Sequence, residues 1–247
     1  MRDSSYVNGN VISCLFEQVA STRYMVGEDI AFSDYDGNEY LFKRDGSYVV
    51  TIPSEYSDDE EACLSSAYSR DYYERDERYR VRDLSSFGHA GNGYQYADIS
   101  FQLDGWEGFD SRKRKVGVHV ILAALYMFND LVKIVDGVGY NFDKIIVNHI
   151  NNDRTDNSLS NLEWGYSVEN SAHAKVLSFI HKHCVDELGC SKYTMIKDGR
   201  VITTNIKVSI ADILKFKAEK GIFEANFNIK EFVNWLFKKQ GIEDEIK

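Results

Sequence analysis

Residues 145–174, IIVNHINNDRTDNSLSNLEWGYSVENSAHA, constrain this chain more than any other stretch. An apolar strand-like run ends in Asn148-His149, a polar loop follows, and Asn161-Leu162-Glu163-Trp164 leads into a segment of helical periodicity that carries Asn170 and His173. Phosphodiester hydrolysis asks for three things at one point: a base for water, a cation to neutralise the developing phosphorane charge, and a hold on the leaving oxygen. An imidazole titrating near neutrality suits the first. Asn carbonyl oxygens suit Mg²⁺, which prefers oxygen ligands and keeps several waters. Asn170 and His173, three apart, share a helix face.

The segment resembles the HNH endonuclease family, in the branch common among phage and intron homing endonucleases, whose pattern is close to VNHxDGNKxNNxxxNLEWxxxxEN. Here Val147-Asn148-His149, residues 161–164 and Glu169-Asn170 stand at that spacing without a gap. Upstream, Gly93-Tyr94 and Val118-His119 before ILAALYMF echo the family's GY strand and VHR helix. The likeness covers about residues 93–175, a third of the chain.

What the resemblance implies is a ββα-metal fold and a metal-dependent DNA endonuclease of homing-enzyme type. His149 takes the part of general base, and Asn161 braces the loop and orients it. Asn148 and Asn170 become metal ligands, a polar helix-surface residue being the other reading of Asn170, and His173 completes the metal shell, contacts phosphate or is simply a half-exposed helical residue. The implied cofactor is Mg²⁺, with Mn²⁺ as an alternative, and the partner is double-stranded DNA. Arg154 stands where the family has Lys and is expected on a phosphate. The basic cluster Arg112, Lys113, Arg114 and Lys115 is a second expected DNA contact; solubilising a loop is its other reading. His119 is either a further DNA contact or a packed residue beside the site. Three departures stand out: Asn148 where metal-binding members often have Asp, Asn151-Asn152-Asp153 for the DGN turn, and Val120 for the Arg of VHR. Asn tolerates the left-handed backbone that Gly would otherwise supply, so the turn survives.

The net charge of −10 is unevenly distributed, with 9 Lys+Arg against 22 Asp+Glu in residues 1–110, 8 against 7 in residues 111–175 and 12 against 10 in residues 176–247. Affinity for nucleic acid depends on local positive charge, so the total does not exclude DNA. It does give residues 1–90 a different task, for which docking on a protein partner is one reading. A hydrophobic content of 43% and an aromatic content of 13% argue against global disorder. No apolar run approaches the ~20 residues of a membrane span. The opening MRDSSYVNGNVISCLF lacks the form of a secretory signal. Four cysteines, Cys14, Cys63, Cys184 and Cys190, are too few and scattered for a disulfide framework, and a reducing, cytoplasmic setting is expected, that of a bacterial host if phage-encoded. His181, His183, Cys184 and Cys190 do not follow a recognised zinc-finger spacing.

The expected class is α+β: an acidic α+β region over residues 1–90, an HNH module over 91–180, and a hairpin with two helices over 181–247. Periodicity predicts helices at 11–25, 119–128, 167–183, 209–220 and 228–239. The acidic run 58–61 suits a helix N-terminus, so a charged helix is read over 58–82, either solvated and laced with i,i+4 ion pairs or presenting Arg and Tyr to a nucleic-acid backbone. Strands are read at 40–42 and 48–52 around Asp45-Gly46, at 94–103, just after the basic cluster, and at 144–147. A final hairpin turns at Asp198-Gly199, and residues 88–93 form a Gly-rich boundary. Val168 or Leu177 is expected to pack against the strands. The last two helices either read DNA or pack together. A monomer would nick one strand and a homodimer would cut both. Two alternatives to an active nuclease stay open: an HNH scaffold that binds DNA without turnover, and an effector docking through the acidic region.

Overall fold

A computed structural model describes residues 5–84, 94–101, 113–138, 142–151, 153–184, 192–197, 200–205, 207–223 and 226–241. The Gly-rich boundary, Arg112 and the Asp198-Gly199 turn lie outside these, as do the side chains of His181, His183, Cys184 and Cys190. The fold is mixed α+β. Its contacts divide it into two units, Met1–Val147 with Arg154–Leu162, and Asn148–Asp153 with Glu163–Lys247.

The first unit begins with α1 (Ser5–Thr22) and a five-stranded antiparallel meander: β1 (Tyr24–Val26), β2 (Asp29–Ser33), β3 (Glu39–Phe42), β4 (Tyr48–Ile52) and β5 (Arg80–Asp83). The expected helix over 11–25 stops at Thr22, because Tyr24, Met25 and Val26 pair with Ala31, Ile30 and Asp29. Register places Ala31 opposite Leu41, Leu41 opposite Val50, and Val50 opposite Val81. With side chains alternating between faces, this row forms one apolar side of the sheet, joined by Tyr73 and Tyr79.

The helix read over 58–82 is not formed. Only α2 (Arg70–Arg75) is helical there, capped by Ser69, whose side chain accepts from the Tyr72 amide. Long-range bonds outcompete helical propensity. The Tyr73 hydroxyl donates to Ser65 O and accepts from Ser65 N, both at 2.9 Å. The Tyr79 hydroxyl makes the same pair of bonds, at 3.0 Å, to Cys63. Arg78 gathers Asp76 at 2.6 Å, Glu61 at 3.3 Å and Asp59 at 3.4 Å, so the acidic run closes on a guanidinium instead of starting a helix.

Next come the antiparallel ribbon β6 (Tyr96–Ser100) and β7 (Lys113–Gly117), the almost wholly buried α3 (Val118–Tyr126), and α4 (Phe128–Val138). These residues, expected to open a separate module after 90, belong with the N-terminal sheet. The Tyr126 hydroxyl accepts from Ile30 N at 3.1 Å and donates to Phe42 O at 2.6 Å. The Ser100 hydroxyl reaches Asp36 at 2.5 Å, and Ser100 O accepts from Tyr35 N.

The strands β8 (Ile145–His149) and β9 (Leu162–Tyr166) form a two-stranded sheet, and α5 (Ser167–Cys184) follows directly. In the second unit come the hairpin β10 (Lys192–Lys197) and β11 (Arg200–Asn205), then α6 (Ile210–Glu219) and α7 (Ile229–Lys239). Both helices start where expected. Ser209 accepts from Asp212 N and Asn228 from Glu231 N, each satisfying an otherwise orphaned amide. Of the two readings for this helix pair, packing is what is seen. Val176 and Ile180 of α5, Ile213 and Phe216 of α6, and Phe232, Val233, Leu236 and Phe237 of α7 share one core. Burying each phenylalanine there contributes about 1.5–3 kcal/mol. Leu177 packs on this helical core and not on strands, while Val168 is 50% exposed.

Candidate functional site

The second unit holds Asn148, His149, Glu163, Asn170 and His173. Asn148 and His149 close β8 and both are buried, His149 to 4% relative exposure. The Asn148 amide donates from Nδ2 to Glu163 Oε1 at 2.8 Å. A carboxylate only accepts, so this bond fixes which end of the amide is nitrogen and leaves Oδ1 directed elsewhere.

Glu163 sits on β9 two residues before Gly165, so both face the same side. That side receives the start of α6. Ile210 N donates to Glu163 Oε1 at 2.6 Å and Ala211 N to Oε2 at 3.4 Å. A Cβ on Gly165 would lie 2.6 Å from Ile210 Cδ1, so only glycine admits the helix this close. Burial pushes the Glu163 carboxyl above the ordinary range, against the lowering effect of its bonds to Ile210, Asn148 and Ala211.

Asn170 lies in the early part of α5 and is half-buried. Its neighbour Glu169 turns to Lys217 of α6, 3.9 Å away, with both side chains largely buried. His173 is 2% exposed, and its Nε2 lies 2.7 Å from Val208 O. A carbonyl accepts, so Nε2 carries the proton and is engaged. That nitrogen is therefore not a metal ligand, and the imidazole braces α5 to the segment before α6. Burial holds its pKa below the usual histidine value.

No protein-family model matches the chain, and no curated protein or solved structure shows a significant likeness to it.

The first unit holds the remaining expected residues. Asn161 donates from Nδ2 to Asp156 O at 2.8 Å, closing the loop before β9, and Ser158 folds back on Asp156 through Oγ at 2.6 Å. Asn157, also buried, donates to Gln95 Oε1 at 2.6 Å. Beside Gln95, Tyr94 stacks on His119 with ring centroids 5.0 Å apart and planes 28° from parallel. The Arg154 guanidinium lies 4.9 Å from the Tyr94 ring centroid, and Arg154 is exposed. His119 is buried to 9%, its ring filling the space beside Gly117, where a Cβ would lie 2.5 Å from Cε1. It therefore supports Tyr94 and presents little surface to a nucleic acid. Lys113 and Lys115 of β7 are exposed on one side of the ribbon, across from Ser100 and Asp98, while Arg114 is half-buried.

Sequence reasoning named Glu163 only as part of a motif and passed over Gln95. The signal for Glu163 was an ionisable group and a glycine two apart on one strand face, a pattern that fits a docking helix end. Among the described residues no group of three or more His, Cys, Asp or Glu gathers for a metal. Amide oxygens fit a hard divalent ion, and the bond from Asn148 Nδ2 to Glu163 sets the orientation of Asn148 Oδ1.

Proposed function

We propose that this chain is a metal-dependent DNA endonuclease of the HNH type that hydrolyses phosphodiester bonds. The observation carrying this reading is positional. Asn148-His149 ends one strand, Asn161 ties the following loop, and Asn170 lies on the helix after the next strand, in the order the family pattern implies. Asn148 and Asn170 would hold Mg²⁺ or Mn²⁺ through their side-chain oxygens. The bound ion would neutralise charge developing on the phosphate and its leaving oxygen. His149 takes the proton from the attacking water at a ring nitrogen. Arg154, steadied on Tyr94, and the exposed Lys113 and Lys115 hold the phosphodiester backbone.

One observation favours a second reading, a scaffold that binds DNA without turnover: His149 keeps only 4% of its surface exposed. A base needs to present a single nitrogen, and catalytic contacts in a free enzyme often tighten only with substrate, so burial alone does not remove the function. Supercoiled plasmid incubated with Mg²⁺ and the full chain decides between them. The nuclease reading expects nicked circles from wild type and none from His149→Ala. Equal inertness of both proteins, with both retarding DNA in a gel, replaces it with the scaffold reading.

A further inference from the structure

We infer that Glu163 is the positioning residue for Asn148, holding that amide so that Oδ1 rather than the NH₂ group is offered to a divalent cation, and that the N-terminal turn of α6 fixes Glu163 for this task. The inference rests on the proposed metal-dependent reading and deepens it.

An asparagine amide can turn over about its last torsion at little cost, exchanging an oxygen donor to metal for an NH₂ group that repels one. Glu163 removes that freedom, because its Oε1 accepts from Asn148 Nδ2 at 2.8 Å. The same oxygen accepts from Ile210 N at 2.6 Å, and Oε2 lies 3.4 Å from Ala211 N. The carboxylate is thus pinned from behind by the first backbone amides of a helix, which have no partner within the helix and favour negative charge. Gly165 supplies the clearance that lets Ile210 come near. The chain separates Glu163 from Ile210 by 47 positions, so a distant helix sets the orientation of a residue on β8. In many metal sites such supporting partners are worth 10–100-fold in metal affinity.

The test is Mn²⁺ binding to the full chain without DNA, followed by electron paramagnetic resonance of the free ion. Wild type binds, and Asn148→Ala loses binding. Glu163→Ala weakens binding about tenfold or more. Glu163→Gln restores most of it, since the Gln oxygen can still accept from both Asn148 and Ile210. Asn228→Ala, which removes the α7 cap and touches neither Glu163 nor the start of α6, leaves affinity at the wild-type value and so separates loss of helix stability from loss of amide orientation. If Glu163→Ala does not fold, Glu163→Asp carries the same comparison, its shorter side chain being unable to span Asn148 and Ile210 together. A folded Glu163→Ala or Glu163→Asp that binds Mn²⁺ as tightly as wild type, while Asn148→Ala does not, overturns the inference and leaves the nuclease reading standing. Absence of Mn²⁺ binding by wild type overturns both.

Discussion

His173 Nε2 donates to the carbonyl of Val208 across 2.7 Å, joining the middle of α5 to the residue just before the α6 cap Ser209. The bond needs a proton on Nε2, which both the neutral tautomer and the imidazolium carry; burial outweighs the preference of the Val208 carbonyl for the charged form and lowers the pKa, so the folded ring stays neutral. In the unfolded chain the ring titrates near 6.5. The unfolded state therefore binds the extra proton first, and stability falls as pH drops below about 6.5, continuing down to the lower folded value. Urea midpoints measured from pH 7.5 to 5 are expected to fall for wild type. The slope should be shallower in His173→Gln, which cannot titrate; identical slopes would remove His173 as its source.

Gly165 faces Ile210 with room for a hydrogen and little else. Gly165→Ala forces the Ile210 side chain, and with it the start of α6, away from β9. Overpacking of this kind costs about 1–3 kcal/mol. Chemical denaturation is expected to show that loss. Combining the change with Ile210→Val should recover part of it, because the nearest atom, Cδ1, is then absent.

The exposed cations make a quantitative case for DNA. Each phosphate contact removed lowers the slope of log K against log salt by about 0.9. Arg154→Ala is expected to reduce the slope by about one contact, and Lys113→Ala with Lys115→Ala by about two. Tyr94→Ala should weaken binding with a smaller change of slope, since it removes the platform under Arg154 and no charge. Fluorescence anisotropy from 50 to 200 mM salt measures all three, and unchanged slopes would rule these residues out as phosphate contacts.

In the N-terminal sheet, Tyr73 is pushed up to about 12, mainly by burial, from an ordinary value of 10. The folded state keeps the phenolic proton longer than the unfolded chain does. Stability present below pH ~10 is therefore lost as pH climbs toward 12. Ultraviolet titration is expected to show a late-ionising phenol that is missing in Tyr73→Phe. That variant also leaves the Ser65 amide and carbonyl without the hydroxyl, a loss of about 1–3 kcal/mol.

The parts of this fold that could be read in advance are those fixed by neighbours in the chain. The caps Ser209 and Asn228 announce α6 and α7, the Asp45-Gly46 pair sits between β3 and β4, and the apolar run after Val118 becomes α3. What escaped reading is set by distant partners. The charged stretch after residue 58 has helical composition, yet Tyr73 and Tyr79 claim the backbone of Ser65 and Cys63. For the candidate site, the resemblance to the HNH family named Asn148, His149, Asn161 and Asn170. It gave no hint that Asn148 is tied to Glu163, that His173 is bonded through Nε2 to Val208, or that His119 is packed beneath Tyr94, since each depends on tertiary approach.

The hydroxyl of Tyr126 enters the sheet between Ile30 N and Phe42 O, two residues that face each other across β2 and β3. It stands in for a missing rung of that ladder. A fragment starting at residue 91 would carry the phenol into solvent, and one ending at residue 90 would open a gap in the ladder that water must fill. Neither piece is a self-sufficient unit for dissecting the molecule, and deletion studies that cut there will report misfolding in place of function.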